Sequence, residues 1–252
     1  MRVSGKRKEN DFLPVSARER GVLAVKSVLA VFALNYFFYQ SLWAMAPLTV
    51  VGYLYYRMEE KNLCRKKKEQ AREQFKELML LVSAGQKAGF SAENAFLASY
   101  GDMRALYGEG SSICRMIRML RSGRENNVGF PELWRRIGDQ TQISEIREFA
   151  QVYEISHRSS GNMASVMEKT ADIIVHKIDT EKEIAVLLSA RRLEQKIMNA
   201  MPFLIMLYIS LTSPGYFKGL YHSAQGTVVM SICLLIYLGA YALSVRMIAI
   251  EV

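Results

Sequence analysis

Several kinds of chemistry are missing from this sequence, and each gap removes a class of function. The three cysteines, Cys64, Cys114 and Cys233, lie far apart and form no CxxC pair, so they provide neither a redox motif nor a disulfide framework. No GxxxxGK[ST] phosphate loop occurs, which excludes a P-loop ATPase or GTPase. No HExxH motif or comparable metal-ligand spacing exists, and His157, His176 and His222 are scattered; isolated histidines on charged helices read as solvated residues. Ser156 and Ser189 lack the GxSxG context of an activated serine. No catalytic, cofactor-binding or metal-binding residue is therefore nominated, no cofactor is expected, and the chain reads as a non-enzyme. Strand signals are nearly absent as well, which leaves an all-α class.

Charge is also missing over one long stretch. Ser27 to Tyr56 is thirty residues without Asp, Glu, Lys or Arg. A single membrane helix needs about 20 apolar residues, so this run is too long for one span and suits a tight hairpin. Its flanks are basic. Arg2, Lys6, Arg7, Lys8, Arg18 and Arg20 precede it, and Arg57, Lys61, Arg65, Lys66, Lys67, Lys68 and Arg72 follow it. Basic flanks stay in the cytoplasm, and two cytoplasmic flanks require an even number of crossings. The expected spans are Gly21 to Tyr39 and Trp43 to Tyr56, with a turn at Gln40 to Leu42. Lys26 lies near the start of the first span, where its stem can snorkel to the headgroups. Tyr36, Tyr39 and Trp43 cluster at the turn as an interfacial aromatic belt. Asn35 is the one strongly polar residue well inside the first span and suits a hydrogen bond to a neighbouring helix. Pro47 either kinks the second span or occupies its first turn. Ala44-Met45-Ala46 resembles a signal-peptidase site, but the leader would be unusually long and Pro47 would follow the cut; a retained anchor is expected.

What the chain does contain is a charged middle between nearly uncharged ends. Residues 73–196 carry 17 basic and 17 acidic side chains, so the net charge of +9 comes almost wholly from residues 1–72. That placement suits anionic lipid headgroups and a topology signal. It argues against nucleic acid as a partner, because a nucleic-acid domain carries its basic excess on itself. Carboxylates of the middle region interleave with Lys and Arg, as in Glu181-Lys182-Glu183, the pattern of a solvated face with ion pairs.

Helical periodicity fills that middle. Arg65 to Ala88 shows an apolar stripe of Phe75, Leu78, Met79, Leu81 and Val82, ended by Gly89, with Ser91 as the next N-cap. That helix carries Ala92, Ala95, Phe96 and Tyr100, and Gly101, Gly108 and Gly110 punctuate the segment after it. Ser111 to Leu120 places Ile113, Met116, Ile117 and Leu120 inward. Arg121 to Gly129 reads as a polar loop. A short helix opened by Phe130-Pro131 presents Leu133, Trp134 and Ile137 and breaks at Gly138 to Gln140. Ser144 to Arg158 runs through Ile146, Phe149, Ala150, Tyr153 and Ile155. After a turn at Ser159 to Asn162, a pattern of more than thirty residues starts at Met163, with Met167, Ala171, Ile174, Ile178, Ala185 and Leu188 as its buried stripe. It leads into a second charge-free run, Ile197 to Phe217, ended by Ser213-Pro214-Gly215. Lys218 and His222 lie in the following loop, and Thr227 to Val245, closed by Arg246, is the fourth span.

The expected organisation is a basic cytoplasmic segment (1–20), a membrane hairpin (21–56), a cytosolic helical domain (57–196), a second hairpin (197–246) and a cytoplasmic tail (247–252). The expected spans hold no Asp, Glu or Arg and no lysine beyond Lys26, whereas pumps and proton-coupled transporters need such groups inside the bilayer.

Ordered short motifs run through the second half. Gly161-Asn162-Met163-Ala164-Ser165-Val166-Met167 precedes Leu188-Ser189-Ala190-Arg191-Arg192. Met201-Pro202-Phe203, Pro214-Gly215-Tyr216-Phe217 and Gly226 come next, with Gly89-Phe90-Ser91 and Gly129-Phe130 upstream. In this order, and with spans in a two-plus-two arrangement, roughly residues 75–245 resemble the type II secretion F domain. This is the inner-membrane platform of type II secretion and type IV-like pilus machines. The pattern is most similar to the B-type platform proteins of tight-adherence (Tad) pili, with the C-type paralogue left open. The segment Arg121 to Asn127 has no counterpart in that pattern. The resemblance implies a plasma-membrane scaffold that passes work from a separate cytosolic assembly ATPase to pilin subunits. It implies a homo-oligomer or a pairing with a related platform subunit, for which Gly239, Ala240 and Ala242 offer close helix contact. A small-solute transporter or channel, and a membrane-bound sensor or adaptor, are the alternatives.

Overall fold

The structure, a computed structural model, describes residues 12–13, 16–38, 45–158, 163–213 and 224–250. The side chains of residues 45–47, 163–164, 224 and 245–250 are outside that description. The expected turns at Gln40 to Leu42 and Ser159 to Asn162, together with Tyr39, Trp43, Lys218, His222 and the Pro214 to Phe217 motif, fall outside it too. Every regular element among the described residues is a helix. The chain divides into two compact units, Met1–Ser16 with Asn62–Thr180, and Ala17–Lys61 with Glu181–Val252.

Ten helices can be followed among the described residues. They are α1 (Ala17–Phe38), α2 (Met45–Lys87), α3 (Ala92–Ala98), α4 (Tyr100–Tyr107), α5 (Ser112–Glu125), α6 (Phe130–Thr141), α7 (Ser144–Arg158), α8 (Met163–Leu187), α9 (Ser189–Thr212) and α10 (Ala224–Ile250). Helices α2 and α8 each begin in one unit and end in the other.

The first unit is built around the stripes that the periodicity marks. On α2, Ala71, Phe75, Leu78, Met79 and Val82 are buried at spacings of three and four residues, the positions that share a helix face. Ile113, Met116, Ile117 and Leu120 of α5 meet them, with Leu133, Trp134 and Ile137 of α6, Ile146, Phe149, Ala150 and Tyr153 of α7, and Met167, Ala171, Ile174 and Ile178 of α8. At the centre, Phe96, Trp134 and Phe149 contact each other with ring centroids 4.9–5.8 Å apart, and Phe75 and Tyr153 close the cluster. Burying side chains of this size contributes about 1.5–3 kcal/mol each. Phe12 is also in this core, and its carbonyl accepts hydrogen bonds from Ser112 Oγ and Arg115 Nη2, each at 2.8 Å. Ser91 and Ser111 cap α3 and α5 by accepting from the Asn94 and Cys114 amides, and Pro131 occupies the first turn of α6.

Helix limits depart from the expected ones at three glycines. Gly101 lies within α4. The segment read as a loop from Arg121 is helical through Glu125, because Gly123 faces Leu133: a Cβ there would fall 2.5 Å from either terminal methyl of that leucine. Likewise α6 does not break at Gly138. That glycine packs on the Arg147 backbone, and the helix ends at Gln142, which takes the left-handed conformation at φ 53°. By contrast Gly89 (φ 94°) and Gly108 (φ 78°) do end helices. Ile155, placed by sequence on the α7 stripe, is 70% exposed. Between α8 and α9 only Leu188 intervenes. Its φ and ψ of −79° and −9° stay right-handed, and the backbone bonds Leu188 N–H to Ile184 C=O and Arg192 N–H to Leu188 C=O bridge the step.

The second unit is apolar on its outside. Phe38, Leu48, Met230 and Leu234 form its small core, joined by Phe203, whose ring meets Phe37, Phe38 and Tyr237 edge-on. Gly52 lets α2 approach α1: a Cβ there would lie 2.5 Å from a Val31 methyl. No side chain of α9 is buried, and Val28, Tyr208, Leu211, Leu235 and Ile236 are all more than 60% exposed. Among the described residues α1 and the Gln225–Ser244 part of α10 are long and apolar enough to cross a membrane. The apolar start of α2, Met45 to Tyr56, is only about 18 Å long, and the apolar end of α9 from Ile197 to Thr212 about 24 Å, short of the roughly 30 Å hydrocarbon layer.

Candidate coupling site

By sequence pattern, the charges of the middle region belong to a solvated face. For Glu145 the structure differs. Glu145 precedes Phe149 by four residues, which puts its carboxylate on the apolar face of α7, and it is 1% exposed. That spacing is the signal the sequence carries for it. Burial of an unpaired carboxylate is costly, and here the partners come from two other helices. Arg72 of α2 holds it in a two-pronged pair, Nη2 to Oε1 at 2.8 Å and Nε to Oε2 at 3.1 Å. Lys177 of α8 approaches Oε1 at 3.1 Å. The Ser144 hydroxyl donates to Oε2 at 3.0 Å.

Burial pushes the Glu145 carboxyl up. Its own backbone N–H, the Arg72 guanidinium, the Lys177 ammonium and the Ser144 hydroxyl outweigh that and hold it below the usual carboxylate range. Burial likewise pulls Lys177 down, but Glu145 and Glu148 together raise it. One turn further along α2, Lys76 bonds Asp179 of α8 at 2.8 Å, and that bond keeps the ammonium above its ordinary value against the pull of burial. A third, exposed bridge joins Lys87 to Glu168 at 2.8 Å. Successive charge pairs therefore lace α2 to α8, and the buried carboxylate fastens α7 to both.

The arrangement is saturated. Each Glu145 oxygen has donors, and among the described residues no group of three His, Cys, Asp or Glu side chains is placed to hold a metal. Such a cluster fixes the relative geometry of three helices. The other residues weighed from sequence stay apart. Cys64 is half-buried, Cys114 buried and Cys233 exposed. His157 stacks on Tyr153 at 6.1 Å, and His176 is exposed. Ser189 is exposed and Ser156 half-buried. In the basic run of α2, Arg65 and Lys66 are exposed, while Lys68 donates to the Gln142 carbonyl at 3.4 Å. Asn35 Oδ1 is buried and has no hydrogen-bond partner among the described residues. Nothing lies within 4 Å of where a Gly239 Cβ would sit, so that face of α10 is open.

No protein-family model, no curated protein and no solved structure matches this chain.

Proposed function

We propose that the chain is an inner-membrane platform protein of a Tad or type IV-like pilus, or type II secretion, machine, of B type in the two-plus-two membrane arrangement. In this reading the helical unit from Asn62 to Thr180 lies in the cytoplasm, and α1, the start of α2, the end of α9 and α10 cross the plasma membrane. A separate assembly ATPase supplies the work, a homo-oligomer or related platform subunit completes the base, and pilin subunits are the cargo. The chain's lack of a phosphate loop suits a driven component.

The observation that most supports this reading is the buried pairing at Glu145. Arg72 and Lys177 sit on α2 and α8, the two helices that continue from this unit into the apolar one. A partner that moved α7 would pull on both helices through one desolvated carboxylate. Deleting the gene tests the reading: surface fibres should vanish while prepilin processing continues, and fibres on the deletant would overturn it.

A further inference from the structure

Several cations of the first unit find partners inside it. Arg72, Lys76, Lys87, Arg136, Arg158 and Lys177 all form ion pairs there. Four cations of the apolar unit behave differently. Lys26, Arg57, Lys61 and Lys196 are exposed, and none has an ion pair or side-chain hydrogen bond among the described residues. Their positions are not scattered. Lys26 immediately precedes the charge-free run Ser27 to Tyr56, Arg57 immediately follows it with Lys61 one turn on, and Lys196 immediately precedes the run from Ile197.

The packing of this unit brings them to one end. Gly52 meets Val31 and the Ser27 carbonyl, so α1 and α2 are antiparallel neighbours and Lys26 shares an end with Arg57 and Lys61. Gln195 of α9 bonds Ser244 of α10 and Tyr237 of α10 donates to the Asn199 carbonyl, while Leu48 and Tyr55 of α2 lie by Met230 and Tyr241 of α10. Helix α9 therefore runs opposite to α10 and α2, the same way as α1, and Lys196 joins the same end. Beside the cations stand exposed apolar side chains: Val22, Val25 and Leu29 next to Lys26, Leu54 and Met58 next to Arg57, and Leu193 and Ile197 next to Lys196.

We propose that Lys26, Arg57, Lys61 and Lys196 form a binding band for the phosphate headgroups of anionic phospholipids. The counter-charge that the protein withholds is supplied by the lipid, while the adjoining apolar side chains reach into its acyl layer. An acidic protein surface would satisfy the charges but leave Val25, Leu29 and Ile197 in water, which is why lipid is the better fit. This inference rests on the membrane reading above.

The test uses the full chain in phosphatidylcholine vesicles with or without phosphatidylglycerol, followed by extraction and counting of co-purifying lipid by native mass spectrometry. The wild type should retain phosphatidylglycerol in preference to phosphatidylcholine. Lys26→Gln, Arg57→Gln, Lys61→Gln and Lys196→Gln, singly and combined, should still insert but lose that preference, by roughly fivefold per charge removed. Arg136→Gln, in the other unit, should leave it unchanged. A combined variant that inserts and keeps the preference overturns the lipid band alone, as does displacement of the bound lipid by free inorganic phosphate. Failure of the wild type to enter vesicles of either composition overturns the membrane reading and the band with it.

Discussion

Gly138 of α6 packs on the backbone of α7 at Arg147: a Cβ at position 138 would lie 3.2 Å from the Arg147 Cα. A side chain there must push a helix rather than a flexible tip. Gly138→Leu should cost about 1–3 kcal/mol, the usual range for overpacking. Trp134, one turn earlier and fully buried, reports the change. In a Trp43→Phe background, Trp134 fluorescence should be lost at lower temperature in the variant than in its parent.

Removing the buried carboxylate is the sharper substitution. Glu145→Gln removes the one buried counter-charge that Arg72 and Lys177 share and leaves them only the exposed Glu69 and Glu148, and breaking a buried pair costs about 3–5 kcal/mol. Replacing all three together, with Arg72→Met, Glu145→Leu and Lys177→Met, removes the penalty with the pair and should recover most of the loss. Denaturant midpoints of the full chain in detergent distinguish the two cases. If Glu145→Gln melts like the wild type, the carboxylate is not paired as described.

The same group sets a response to acid. Its carboxyl is held below the ordinary value in the folded chain, so its contribution is fully present above the unfolded carboxylate pKa and is lost as pH falls through the folded one. The Trp134 midpoint should drop below about pH 5 and drop less steeply in Glu145→Gln. At the other extreme, Lys76 is raised by Asp179. Its contribution is present below the ordinary lysine pKa and disappears as pH climbs past the raised one. Asp179→Asn should therefore flatten the alkaline limb only.

Within the aromatic cluster, Phe149 touches Phe75, Phe96, Trp134 and Tyr153. Phe149→Ala opens a cavity that four ring neighbours cannot fill. We expect a loss of about 3–5 kcal/mol, read as a lowered midpoint with a red shift of Trp134 emission. An unchanged midpoint would contradict the packing.

These residues also show what the sequence discloses. Apolar stripes such as Phe75-Leu78-Met79-Val82 and Ile113-Met116-Ile117-Leu120 identify helices and their inner faces without help, because period and burial coincide. Glycine is harder to read. Gly89 and Gly123 look alike in sequence, yet one ends a helix at positive φ and the other makes room for Leu133 inside one; only the neighbouring helix decides. Glu145 is hidden for a related reason. A carboxylate beside Lys and Arg in sequence reads as solvated, and its true partners lie 73 residues upstream and, on α8, downstream. Ile155, at the end of the α7 pattern, continues the apolar composition but not the face.

The central claim is that the charged helical unit stands in the cytoplasm, with both chain ends on the same side of four crossings. The direct measurement is compartment-specific reporter activity from fusions at Gln140 and at each terminus, with fusions at Gln40 and Gly219 between the paired spans. All three of the first set should report cytoplasm, and the latter two the outer side. A reporter at Gln140 that is active outside would contradict the account.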